Sequence, residues 1–430
     1  MDDEDEFVGL LDGIEGIEED WAVKHEDGGE GMLNMDQLPD WDFPSDQSNT
    51  SSFTLPLLSP PSSPPPENFS VVTHIENIIT SLTTTLARTP SVSSLSIPLH
   101  SRRQQTTYFS PHTSSILPLP YTHPSHFTST TFPRNPRQFT CILTLLSILH
   151  AHHSSTSTPL PPLLTKRQIY YHNPTLFRSQ RNIDHLLDSL AATFRLTRRD
   201  LGICAAGKGL VYGEVYIDGA YFGGEGGGGL IPPSFSPESV TLAADVRSVL
   251  LVEKETIFRA LNSLRSGIVK EGLVMLCGKG YPDLNTRRLL LLLCEEKGVE
   301  RVATLVDFDP DGVEIAATYK FGSTLLAHER VAVRGVDVIG VLSQDLISLI
   351  TTTAGCGGGG GGGVVVTTLT HRDRKKALEL LARPWMPTVP SWKVEIQRML
   401  FWGIKCEVEV FYSGTCFAEW VLGKVGKAVA

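Results

Sequence analysis

Cysteine is scarce in this 430-residue chain. There are seven, at 141, 204, 277, 294, 356, 406 and 416, and no C-x-x-C spacing among them. That argues against a zinc ribbon or a redox dithiol and for reduced thiols in an intracellular protein. Long apolar runs are also missing. The longest leucine run, Leu289–Leu293, is far short of the roughly 20 residues of a membrane span. The N-terminus has no apolar segment of the secretory kind. A soluble protein with no membrane partner is expected. Bases are nearly absent from residues 1–46, which carry 17 Asp/Glu and one Lys. The remainder therefore has a net charge of +6 within a total of -10. The body is mildly basic, which suits a polyanionic partner without requiring one.

What is present falls into blocks. Residues 1–70 form an arm, first acidic and then Ser/Pro-rich (Leu57-Ser-Pro-Pro-Ser-Ser-Pro-Pro-Pro65), with the composition of disorder. Apolar positions 71, 72, 75, 78, 79, 82 and 86 give 71–88 one apolar helical face, for its own body or for a partner chain. Residues 89–136 return to Ser/Thr/Pro/His-rich sequence and are expected as a flexible linker. A first folded domain spans 137–222. It holds an apolar helix, Phe139 to His150, then Lys166-Arg-Gln-Ile-Tyr-Tyr171, then a second helix, Arg181 to Phe194. A glycine turn, Ala206–Gly209, leads into Leu-Val-Tyr. Short helices followed by a small hairpin, with basic Lys166, Arg167, Arg198, Arg199 and Lys208, suggest a winged helix that meets a DNA groove.

A second domain is expected over 245–412. Ser248–Val252 and Gly272–Leu276 read as buried strands, as does the run ending at Val306. Helical segments alternate with them, so the sheet should be parallel and its site should lie at the carboxyl ends of the strands. Glu253, Gly278-Lys-Gly280 and Asp307-Phe-Asp-Pro-Asp-Gly312 all fall at such ends. The last has the opening of a calcium loop, but its twelfth position is Thr318 and a strand precedes it, so that reading fails. Clustered acids at a sheet edge call for a hard cation such as Mg²⁺. Gly202-Ile-Cys-Ala-Ala-Gly-Lys208 has Walker spacing but continues with Gly209, without the hydroxyl that would hold Mg²⁺. The run Gly357–Gly363 lacks strand–loop–helix context and reads as an insert. Residues 413–430 are expected as a tail.

Taken together, Lys166-Arg-Gln-Ile-Tyr-Tyr-His-Asn-Pro-Thr-Leu-Phe177, Gly207-Lys-Gly209, Val252-Glu-Lys254, Gly278-Lys-Gly-Tyr-Pro-Asp-Leu-Asn-Thr-Arg287 and Asp307–Gly312 resemble, in order, the motifs of the topoisomerase VI A-subunit family. The nearest likeness is to its meiotic, sporulation-eleven-type branch. The resemblance implies an α/β protein, a winged-helix domain followed by a Rossmann-like Toprim domain with a parallel sheet. It implies that Tyr171 is the nucleophile with Arg167 beside it, and that Glu253, Asp307 and Asp309 hold Mg²⁺ with Asp311 auxiliary. Lys208, Lys279, Arg198 and Arg199 become DNA contacts. It further implies a homodimer on double-stranded DNA, a topoisomerase VI B-like subunit with accessory meiotic proteins, and a place on the chromosome in the nucleus. Three other readings share these motifs: a relaxing type IIB topoisomerase, a Toprim nuclease or primase that uses no tyrosine, and a non-catalytic DNA-binding protein.

Overall fold

A computed structural model describes residues 70–429, apart from 89–94, 101–106, 120–126, 155–162, 205–206, 225–226, 244, 264–271, 356–365 and 413–415. Nearly all of the acidic arm, and the polyglycine insert, lie outside the described residues. Among the described residues no helix is long and apolar enough to cross a membrane.

The N-terminal region is built on helices Val71–Arg88, Pro136–Ser154, Lys166–His172 and Gln180–Phe194. Their apolar faces meet in one core that includes Ile142, Leu145, Leu149, Ile183, Leu187 and Leu190, all fully buried. Helix Val71–Arg88 docks on its own chain through Val71 and Ile75, and His74 stacks on Phe194 at 4.9 Å. Farther along, Ile79 and Leu86 stay exposed.

The stretch expected as a flexible linker is partly sheet. Ser96–His100 pairs antiparallel with Phe127–Thr131 and buries Ile97 and Leu99. Thr107–Ser110 and Ser115–Pro118 form a hairpin. The hairpin packs Phe109 edge-on against Phe321, 5.8 Å away in the second core. These strands are short and rich in Ser and Thr, and one apolar residue in two suffices once a helix covers that face.

The second region centres on a six-stranded sheet. Its strands are β1 (Leu210–Tyr212), β2 (Gly229–Leu230), β3 (Ser248–Val252), β4 (Leu273–Cys277), β5 (Arg301–Leu305) and β6 (Val336–Gly340), in spatial order β2-β1-β4-β3-β5-β6. β4, β3, β5 and β6 run parallel, as expected, and β1 and β2 close one edge antiparallel. The edge strands correct the domain boundary, because Leu210–Tyr212, expected in the first domain, belongs to this sheet. Nor do the segments flanking Ala206–Gly209 pair as a wing: Ile203–Cys204 runs parallel to Leu164–Thr165, while β1 joins the large sheet.

Side chains alternate across the sheet. Leu250, Val252, Met275 and Leu305 enter one core with helices Glu255–Ser263, Pro310–Phe321, His371–Leu381 and Pro390–Trp402. Val249, Leu251, Val274 and Leu276 enter the other, under helix Leu284–Glu295. The expected tail is a correction too. Cys416–Val429 is a helix that places Phe417, Val421 and Val425 in the first of these cores. Their spacing of four puts them on one face.

Candidate active site

The parallel register fixes the acidic cluster. Val252 lies level with Cys277 on one side and Leu305 on the other. The next residues therefore emerge together: Glu253, Gly278 and Val306. Backbone bonds tie them, Glu253 N–H to the Leu305 carbonyl and Gly280 N–H to the Glu253 carbonyl. Glu253 Oε2 then accepts from Asp307 N–H at 3.1 Å. Asp309 caps helix Pro310–Phe321 by accepting from Gly312 N–H at 2.6 Å. Gly312 is demanded by closeness, since a Cβ there would stand 2.6 Å from the Asp307 carbonyl oxygen.

These acids are mostly buried, and burial first, then neighbouring carboxylates, raises their proton affinity. Burial, then the charges of Asp307 and Asp309, pushes the Glu253 carboxyl up to about 8. Burial, with Asp307 and Asp311, pushes Asp309 up to about 6. Asp307 is also raised by burial, against the pull of Lys254 and of a Val408 N–H bond. The donors are all oxygen and their charges are mutually unfavourable, which fits a hard divalent cation. The side chains are nevertheless not a closed cluster. Among the described residues no three His, Cys, Asp or Glu side chains form a ready-made metal group. Both oxygens of Asp307 are engaged, Oδ1 by Val408 N–H at 2.9 Å and Oδ2 by Lys254 Nζ at 2.8 Å. Asp311 turns to a neighbouring network in which Lys376 binds Asp311 and Glu314 and donates to the Tyr281 hydroxyl, whose single proton is shared between the two acids at 2.9 and 2.6 Å.

Several of these partners carry no local signal in the sequence. Phe308 and Cys406 form a two-bond bridge, which lays 405–408 beside the acidic turn. Val408, Glu407 and Glu409 follow it to the site, where Val408 N–H meets Asp307 and Glu409 meets Lys254 and Thr256. Lys254 sits in the Val-Glu-Lys motif, and its adjacency to Glu253 was the one available hint.

Tyr171 lies on the seven-residue helix Lys166–His172, started by a Thr165–Gln168 capping box and anchored by buried Ile169. Tyr170 packs partly into the helical core while Tyr171 is 63% exposed. Arg167 is exposed one turn earlier, at the i,i+4 spacing that shares a face. Among the described residues no hydrogen bond ties Tyr171 to Glu253, Asp307 or Asp309.

The expected DNA contacts divide. Lys208 is exposed and its ammonium donates to the Lys279 carbonyl at 3.2 Å. Lys279 pairs with Glu255 at 2.8 Å. Arg199 donates to the Phe235 carbonyl at 2.9 Å. Arg198 is turned inward, its guanidinium held by buried Asp188. The Gly207-Lys-Gly209 turn is no phosphate cradle. Its N–H groups at Lys208 and Gly209 reach Asp283 Oδ2 at 2.7 and 3.3 Å, which knits this turn to the Gly278–Asn285 segment.

A mixed α/β body with a parallel sheet, and acids gathered at the carboxyl ends of its strands, defines a Toprim domain. Residues 248–419 match the Toprim-domain model of the topoisomerase 6 A-subunit/Spo11 family, and residues 137–203 match the type IIB DNA topoisomerase model. The chain is 31% identical over 283 residues to the human meiotic recombination protein SPO11, covering 64% of this chain and 67% of that one. It is 32% identical over 291 residues to SPO11-1 of Oryza sativa subsp. indica, covering 62% and 72%. With the Schizosaccharomyces pombe meiotic recombination protein rec12 it shares 29% over 302 residues, covering 69% and 79%. The chain belongs to the topoisomerase VI A-subunit/Spo11 family.

Proposed function

We propose that this protein makes double-strand breaks in DNA to initiate meiotic recombination, as a topoisomerase-like transesterase with Tyr171 as nucleophile. The observation that carries the reading is the pairing of an exposed tyrosine in the region matching the type IIB topoisomerase model with an acidic sheet edge in the Toprim domain. The Tyr171 oxygen attacks a backbone phosphorus in line, the P–O3′ bond breaks, and the products are a tyrosyl 5′-phosphate and a free 3′-hydroxyl. One ester replaces another, so no water or nucleotide is consumed. A free tyrosine titrates near 10, so forming the phenolate at pH 7 costs about 4 kcal/mol. Arg167, on the same helix face, supplies positive charge for the phosphate under attack.

Glu253, Asp307 and Asp309 would hold Mg²⁺, with Asp311 outside the set unless Lys376 releases it. When bound, the ion supplies positive charge for the phosphate and the departing 3′ oxygen. The helices around Tyr171 present it to DNA, and Lys208 and Lys279 meet the DNA backbone. Among the described residues no hydrogen bond ties Tyr171 to the acids, which supports a homodimer that joins the tyrosine of one protomer to the carboxylates of its partner.

On this reading the protein is the DNA-cleaving part of an ATP-hydrolysing type II topoisomerase-like assembly, ATP hydrolysis being the task of a separate B-like subunit. Exposed Ile79 and Leu86 on helix Val71–Arg88 suit such a B-like chain, and accessory meiotic proteins complete the assembly on nuclear chromosomes. A relaxing topoisomerase is the second reading. The relatives' names as meiotic recombination proteins favour the first.

The test is rapid denaturation of the protein on DNA with Mg²⁺, followed by detection of protein on 5′ ends. Tyr171→Phe is expected to abolish the adduct and keep DNA binding. Adducts formed by Tyr171→Phe contradict the assignment, and free 5′-phosphate ends from the wild type indicate a nuclease.

A further inference from the structure

The three acids are unequal. Glu253 and Asp309 each give one oxygen to a backbone N–H, Asp307 N–H and Gly312 N–H respectively. Among the described residues their other oxygens accept no hydrogen bond. Asp307 alone is occupied at both oxygens, and one occupant is a charge, the Lys254 ammonium. That ammonium is shared. It lies 2.8 Å from Asp307, 2.7 Å from Glu409 and 3.5 Å from Glu407. Glu409 is itself steadied by the Thr256 hydroxyl at 3.0 Å. Lysine is a compact charge on a flexible stem, so it can leave one carboxylate for another. Because Glu409 already holds it, leaving Asp307 does not strand a half-buried charge.

We propose that Lys254 is an exchangeable internal cation, a positioning residue that neutralises Asp307 until a divalent ion binds and then withdraws to Glu407 and Glu409. This rests on the reading of Glu253, Asp307 and Asp309 as the metal-holding set. Metal would enter on the open oxygens of Glu253 and Asp309, and Asp307 would join as Lys254 retreats. Lys254 thus sets the affinity of the site and keeps Asp307 in place before loading. Glu409, which follows the segment beside Phe308 to the site, sets how readily the exchange occurs.

The test is calorimetric titration of the full-length chain with MgCl₂, without DNA. Lys254→Met is expected to bind Mg²⁺ tighter by about tenfold or more, because it frees a ligand oxygen as well as removing a charge. Lys405→Met is the control for charge alone. Lys405 pairs with Asp373 at 2.7 Å and influences Asp309 only through its field. It should change affinity by roughly threefold or less, as expected of a screened, indirect charge. Lys254→Arg keeps the charge but grips Asp307 with a planar fork, so it should weaken binding. Glu409→Gln should weaken it too, by leaving Lys254 on Asp307. Equal effects of Lys254→Met and Lys405→Met overturn the exchange, as does unchanged binding in Lys254→Arg or Glu409→Gln. Should Lys254→Met fail to fold, these last two variants decide the matter. If Asp309→Asn binds Mg²⁺ as the wild type does, the metal assignment itself fails, a result separate from failure of the exchange.

Discussion

Gly209 shows what single residues do in this protein. A Cβ there would stand 1.9 Å from Thr286 Oγ1. The glycine is therefore a contact between the turn and helix Leu284–Glu295. Gly209→Ala should cost about 1–3 kcal/mol, typical of overpacking a tight contact, and denaturant unfolding measures it. Gly312 plays the same part under the acidic turn. Buried Arg287 is another case. Its Nη2 donates to the Val331 carbonyl at 2.8 Å, and burial pushes its guanidinium down to about 10. Beside it Arg288 meets Glu329, and Glu329 also accepts from Arg198 N–H at 3.0 Å. Glu329 thus bridges the helical region and the sheet region.

Among the elements, helix His371–Leu381 is organised by its start. The Thr370 hydroxyl accepts from Asp373 N–H, and the Asp373 carboxylate accepts from Thr370 N–H and from Lys405. Burial alone would raise the Asp373 carboxyl, but the Lys405 and Thr370 bonds outweigh it and hold the group below its ordinary value. A lowered folded value means stability present above the unfolded value and lost as pH falls through the folded one. Asp373→Asn should therefore cost about 1–2 kcal/mol at pH 7. Its thermal midpoint should converge with that of the wild type as pH falls through the lowered folded value of Asp373. The C-terminal helix makes a second case. Phe417 is 1% exposed beneath the sheet, and Phe417→Ala should cost about 3–5 kcal/mol. A loss near zero in equilibrium unfolding would mean that this helix does not belong to the core.

Across the whole molecule, how much could be read from sequence follows the range of the forces involved. The parallel strands were legible because runs such as Ser248-Val-Leu-Leu-Val252 are apolar on both faces, as a doubly covered sheet requires. Glu253, Asp307 and Asp309 were legible because each follows such a run, and parallel strands bring their carboxyl ends together. The strands at 96–131 were not, since Ser/Thr-rich sequence carries no strong alternation and their burial depends on a helix far along the chain. The helix over 416–429 did carry its signal at 417, 421 and 425, but behind a short interruption that read as an end. Lys254 and Glu409 are 155 residues apart, and contacts such as the Phe308–Cys406 bridge and the Val408–Asp307 bond bring them together only in the folded chain. The open oxygens of Glu253 and Asp309 depend in the same way on hydrogen bonds seen only in the folded chain.

We propose that in the assembly Tyr171 of one protomer works with Glu253, Asp307 and Asp309 of its partner, the tyrosine lying in the region that matches one family model and the acids in the region that matches the other. The most direct measurement mixes two inactive variants, Tyr171→Phe and Asp309→Asn, on DNA with Mg²⁺. After rapid denaturation, size-tagged chains bound to 5′ ends are identified. The expected result is that neither variant alone forms adducts, while the mixture restores them solely on Asp309→Asn chains, whose tyrosine meets the intact acids of the Tyr171→Phe partner. A mixture as inactive as its components, or adducts on the Tyr171→Phe chain, would contradict the account.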